Sequence, residues 1–124
     1  IVDRAYIIYD GKVLFTGICA TCHQTTGRGL DGLAPPLLDS EWVLGAAERV
    51  IRIVLHGLKG PIVVLGREHT GDMPAFKAMD DEQLASILTY VRREWGHGAS
   101  PISPEAVKAA RAATAGQTDS ISAR

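Results

Sequence analysis

The sequence predicts an all-α fold of three main helices, with a short hairpin before the third and an extra helix near the C-terminus. Three observations carry this expectation. Three stretches space their apolar residues at helical rather than strand intervals, with capping or stop signals at their ends. The segments between them are rich in glycine and proline, which excludes regular structure there. The only two cysteines stand in Cys19-Ala20-Thr21-Cys22-His23, and one helical turn points both thiols the same way.

Residues 1–9 read as a lead-in segment whose apolar run at 5–9 suits either a strand or a helix start. Asp10 then caps a first helix over 10–22, with Leu14, Phe15, Ile18 and Cys22 as its buried stripe. Residues 24–40 hold Gly27, Gly29, Gly32, Pro35 and Pro36 and read as a long wrapped loop. A loop of that length inside a small domain is usually functional. The second helix spans 46–56 on the stripe Ala47, Val50, Ile51 and Val54, and Gly57 suits its C-terminal cap. Residues 61–70, β-branched and then polar, read as a small hairpin. In the third helix Asp80 is the N-cap, Gln83 completes a capping box, and Leu84, Ile87, Leu88, Val91 and Trp95 face inward before Gly96. Ser103-Pro104-Glu105 starts a short alanine-rich helix to about 114, and 115–124 have the composition of a frayed tail. The main domain is therefore 10–96, with 97–124 as a C-terminal extension.

A chain of 124 residues, 46% hydrophobic, makes one globular unit. Aromatics are only 6%, which is lean for a core. With 13 basic and 14 acidic residues the net charge is −1, so nothing points to nucleic acid or an anionic membrane surface. No apolar run approaches the ~20 residues of a transmembrane helix. The chain opens on Ile1 rather than methionine and is read as a processed chain or a piece of something longer.

C-x-x-C-H is the attachment sequence of c-type haem. The two thiols add to the two vinyl groups of one porphyrin edge, and His23 supplies the proximal imidazole to the iron. Other uses of the motif fit less well. A thioredoxin-like pair needs a βαβ context that is missing before Cys19. Zinc needs a fourth ligand, and His56, His69 and His97 lack paired spacing. A plain disulfide leaves His23 unexplained. Two methionines compete for the sixth position on the iron. Met79 lies at N′ of the third helix, opposite Leu84 at N4, and already serves as a hydrophobic staple. Met73, in Gly71-Asp72-Met73-Pro74, has no such duty and is favoured, with His69 next in line. Trp42 and Arg52 are candidates for the haem propionates through an indole N–H and a charge-assisted bond. Arg52 serves equally well as a solvated residue.

Over residues 9–96 the chain resembles the single-haem class I c-type cytochromes. Gly11, Phe15 and Cys19 keep that family's four-residue steps, Ile87 and Tyr90 match the helix that crosses them, and Ala34-Pro35-Pro36-Leu37 and Met73-Pro74 look like its proline and ligand segments. The resemblance implies a cytochrome c fold around one covalent haem c with its iron. It also implies a Pro35 carbonyl that accepts from His23 and His23/Met73 axial ligation. By the same resemblance the function is electron transfer rather than catalysis, in a periplasmic or otherwise extracytoplasmic setting. Redox partner proteins follow, a donor dehydrogenase and a downstream acceptor. The insert 60–70 and the helix after Pro101 lie outside the minimal fold and look like features of cytochrome domains fused to, or associated with, bacterial dehydrogenases. The rival function is a gas-binding or peroxidatic haem protein with a displaceable sixth ligand; a haem that only cements the fold is a third.

Overall fold

Helix α1 occupies residues 11–23 of the computed structural model, which describes residues 11–122. The lead-in segment and the Asp10 cap lie outside the described residues. Regular α-helix would place Leu14, Phe15, Ile18 and Cys22 on one face. Instead the turn Phe15–Cys19 is π-helical, and the Ala20 N–H reaches back five residues to the Phe15 carbonyl. The added residue rotates the inner face. Phe15, Ala20 and His23 are buried, while Ile18 is 40% exposed. Single π turns of this kind concentrate at functional sites.

Ser40 caps a short helix, α2 (Glu41–Leu44), by accepting the Trp42 N–H at 3.2 Å. Helix α3 (Ala47–His56) follows and ends at Gly57. Helix α4 (Asp81–Arg93) starts on the capping box expected of Asp80 and Gln83, with bonds of 2.8 and 3.1 Å. It stops earlier than the apolar pattern suggests. Trp95 lies beyond the helix at φ 57°, where its indole N–H donates to the Thr25 carbonyl at 2.9 Å. Helix α5 (Pro104–Ala113) has Ser103 as N-cap and proline in its first turn.

The expected all-α architecture needs correction, because the described residues include five short strands: β1 (Leu58–Lys59), β2 (Ile62–Val64), β3 (Arg67–His69), β4 (Asp72–Met73) and β5 (Ile121–Ser122). Strands β2 and β3 are the hairpin read from the sequence. The others form a small sheet in the order β4-β1-β5, with Leu58 opposite both Met73 and Ile121. The frayed tail is corrected too. Its Ile121 packs on Ile53, Leu58, Ile62 and Val64 and donates its N–H to the Gly57 carbonyl at 3.0 Å. Composition misses this because a two-residue strand has no period to read.

Ile102, Val107 and Ala110 share one buried cluster with Phe15, Leu55, Leu84 and Leu88, so the C-terminal extension joins the main core. At the crossing of α1 and α4 the Phe15 and Tyr90 rings lie 5.4 Å apart. Ile87 is buried alongside them. A Cβ on Gly11 would overlap the Ser86 carbonyl oxygen, which is rigid backbone. Gly11→Val is therefore expected to cost about 3 kcal/mol, the upper end of ordinary overpacking. A melting temperature within a degree of the parent would show that the helices do not meet there.

Candidate haem crevice

An apolar crevice opens between α1, the 24–40 loop, α3 and the strand segment, with about 810 Å³ of atom-free space, mouth included. Phe15, Val43, Val54, Leu58, Ile62 and Phe76 are among its walls. A second lobe reaches the surface past Ile18, Cys22 and Leu33. Cys19, His23, Pro35 and Met73 line both lobes.

The loop brings Pro35 back over α1. Gly29 N–H donates to the His23 carbonyl at 3.0 Å, and Leu30 and Ala34 exchange backbone bonds at 3.0 Å. Pro35 then presents its carbonyl 3.0 Å from His23 Nδ1. A donor at Nδ1 leaves the Nε2 lone pair free in the neutral tautomer, the form a metal requires. Burial pushes the His23 pKa below the ordinary imidazole value, and the Pro35 bond opposes that in part. The ring is thus neutral near pH 7. Both thiols are free and half-buried. Burial, and secondarily the neighbouring Cys22, push the Cys19 thiol up to about 11. Two free thiols at the mouth, a neutral imidazole with one nitrogen fixed, and apolar walls form a donor set that fits covalent haem.

Met73 is held by β4. Its neighbour across the sheet is Leu58, and Gly57 lets the chain come close enough for that pairing. At φ 78° a Cβ on Gly57 would sit 2.6 Å from the Met73 carbonyl oxygen, so only glycine fits. Met79 lines the inner lobe alone and packs on the core beside Leu84. The remaining histidines are elsewhere. His69 is on β3, outside both lobes. His56 Nε2 bonds Thr114 Oγ1 at 2.7 Å. Both His97 nitrogens are engaged, with the Val91 carbonyl and the Asp39 N–H.

Trp42 and Arg52, the candidates for the haem propionates, each have partners within the protein. Trp42 lines the inner lobe, but its indole N–H donates to the Val63 carbonyl at 2.8 Å and its ring carries the Arg49 guanidinium at 4.2 Å. Arg52 pairs with Glu48 at 2.6 Å and faces a different groove. A mid-helix arginine four residues after a glutamate is the usual exposed pair, and that spacing was readable. Sequence reasoning missed Ser40, a buried crevice residue, although Ser40-Glu41 is itself a cap signal.

A thiol pair and a fixed imidazole on one helix, facing an apolar crevice, define a protein that carries covalent haem. The family model described as Cytochrome c matches residues 8–95, and the chain belongs to that family. It is 36% identical over 112 residues to cytochrome c-552 of Thermus thermophilus, covering 83% of this chain and 85% of that one. It is 33% identical over 112 residues to the fructose dehydrogenase cytochrome subunit of Gluconobacter japonicus, covering 83% of this chain and 22% of the subunit. A cbb3-type cytochrome c oxidase subunit FixP of Azorhizobium caulinodans is 31% identical over 85 residues, 67% of this chain and 28% of that one. The cofactor is covalent haem c with its iron, and the role is electron transfer. Among the described residues no helix is long and apolar enough to cross a membrane.

Proposed function

We propose that the chain is a non-catalytic one-electron carrier whose iron has His23 and Met73 as axial ligands. When bound, haem c supplies an iron centre that gains and loses one electron. Cys19 and Cys22 would tether it, and Pro35 would fix the tautomer and raise the basicity of His23. A Met73 thioether favours reduced iron and raises the potential. The observation that carries the assignment is that Met73 and His23 line both lobes of one crevice, whereas Met79 lines only one. A dehydrogenase as donor and an oxidase or a further carrier as acceptor fit the relatives named above. The compartment would be periplasmic or otherwise extracytoplasmic.

Met73→Ala is expected to abolish the weak far-red Fe–S band of the oxidised protein, lower the potential and admit carbon monoxide to the reduced iron. Met79→Ala should keep the band and cost about 2 kcal/mol, the low end for a methionine truncation because the side chain is only half-buried. Loss of the band in the Met79 variant alone reverses the assignment. A parent protein without the band makes His69 the leading ligand.

A further inference from the structure

The segment that carries Met73 is tied down at both ends by residues from the far C-terminus. At its start, β4 pairs with β1, and β1 is held on its other edge by β5. At its end, Arg111 on α5 gathers three acceptors from the residues that lead into α4. Its Nη1 donates to the Lys77 carbonyl at 2.8 Å, its Nη2 to the Met79 carbonyl at 2.8 Å, and its Nε to the Asp81 carboxylate at 3.0 Å. Lys77 answers in the other direction, donating its Nζ to the Gln117 carbonyl at 2.8 Å. The Arg111–Asp81 pair is about two-thirds or more shielded on each side, so water screens it less than an open surface pair.

We propose that Arg111 is a positioning residue for the sixth ligand, with β5 as its second anchor: together they hold the 73–79 segment in the arrangement that keeps Met73 on the iron. The proposal rests on Met73 being that ligand. Rotation of the Met73 side chain alone moves the sulfur only a short way; carrying the thioether clear of the crevice with its backbone means peeling β4 from β1 and shifting the loop after Pro74. Phe76 opposes this from within, its N–H bonded to the Val54 carbonyl at 2.9 Å. Arg111 opposes it from outside, because moving Lys77 or Met79 breaks bonds to a charged donor, the stronger class of hydrogen bond. Arginine suits the place because its planar fork addresses three acceptors at once, which a lysine cannot.

The test uses the full haem-loaded chain and imidazole as a competitor for the oxidised iron. Arg111→Ala should bind imidazole at least about tenfold more tightly than the parent, a change of about 1.4 kcal/mol, and lose the far-red band at a lower imidazole concentration. Arg111→Lys should fall between the two. Ile121→Pro, which removes the N–H given to Gly57 and breaks β5, should shift affinity in the same direction. Val107→Ala serves as the control for general destabilisation. It cuts a fully buried α5 side chain but leaves every Arg111 bond in place, and it should bind imidazole like the parent. An equal gain in Val107→Ala, or parental affinity in Arg111→Ala, overturns the proposal. Met73→Ala separates the two readings. If that variant keeps the far-red band, the ligand assignment fails and the strap falls with it. If it loses the band while Arg111→Ala stays parental, only the strap fails.

Discussion

A chain with Cys19 and Cys22 both replaced by alanine is expected to give up its colour on acid-acetone extraction and to be largely unfolded. The thiols are the only covalent tether the sequence offers. Once they are gone only axial coordination, by His23 and Met73 in the proposed arrangement, would hold the macrocycle, and acid breaks such bonds. The unfolding follows from the packing. Val43, Val50, Val54, Leu84, Ile87, Leu88 and Val91 all belong to the buried cluster and all line the crevice. Without a filler those walls face water or collapse on one another. Net domain stability is only about 5–15 kcal/mol, and large apolar voids are costly. Circular dichroism near that of the parent would contradict the dependence of the fold on its cofactor. Colour that survives extraction would refute attachment at this motif.

Arg92→Ala should be the most destabilising substitution away from the haem motif, by about 3–5 kcal/mol, because it leaves three shielded carbonyls without their donor. Arg92 is 4% exposed, and its partners are carbonyls. Nη1 donates to Val43 and Gly45 at 2.8 and 2.9 Å, and Nε donates to Ser100 at 2.9 Å. The Val43 and Gly45 oxygens belong to the unpaired C-terminal end of α2, where a cation also meets the favourable end of the helix dipole. One guanidinium thus joins α2, α4 and the approach to α5. Burial lowers its pKa below the ordinary arginine value, yet arginine remains charged at any working pH. Denaturant titration of Arg92→Ala and Arg92→Lys checks this, with lysine restoring only part of the loss. A cost below about 1 kcal/mol for alanine would mean that water replaces the arginine freely.

The haem motif, the helices at 46–56 and after Asp80, and the start of α5 were legible because each rests on a local signal: cysteine spacing, an apolar stripe, a cap. The π turn was not legible, since Leu14, Phe15 and Ile18 fit a regular helix equally well on paper. What selects the wider turn is the burial of Phe15, Ala20 and His23 together, a tertiary matter. Arg92 and Arg111 were invisible for a related reason. Each lies in a helix where arginine is ordinary, and two of its three partners are main-chain carbonyls tens of residues away. Trp42 shows a different limit. A tryptophan needs a partner for its N–H, and the hairpin carbonyl of Val63 that accepts it lies 21 residues on, where no local signal marks it.

The parallel pairing of β1 with β5 also constrains the order in which the molecule assembles. Leu58 and Ile121 are far apart along the chain, and closing so long a loop for a two-residue strand would be entropically unfavourable. Docking of α5 first leaves only the seven residues between Ala113 and Ile121 to be closed. Strand β5 should therefore form after the helical core has condensed and open first under native conditions, in a sub-global event that leaves the core intact. Hydrogen exchange would register this as weak protection at the Ile121 amide and strong protection along α4, within a single folded population.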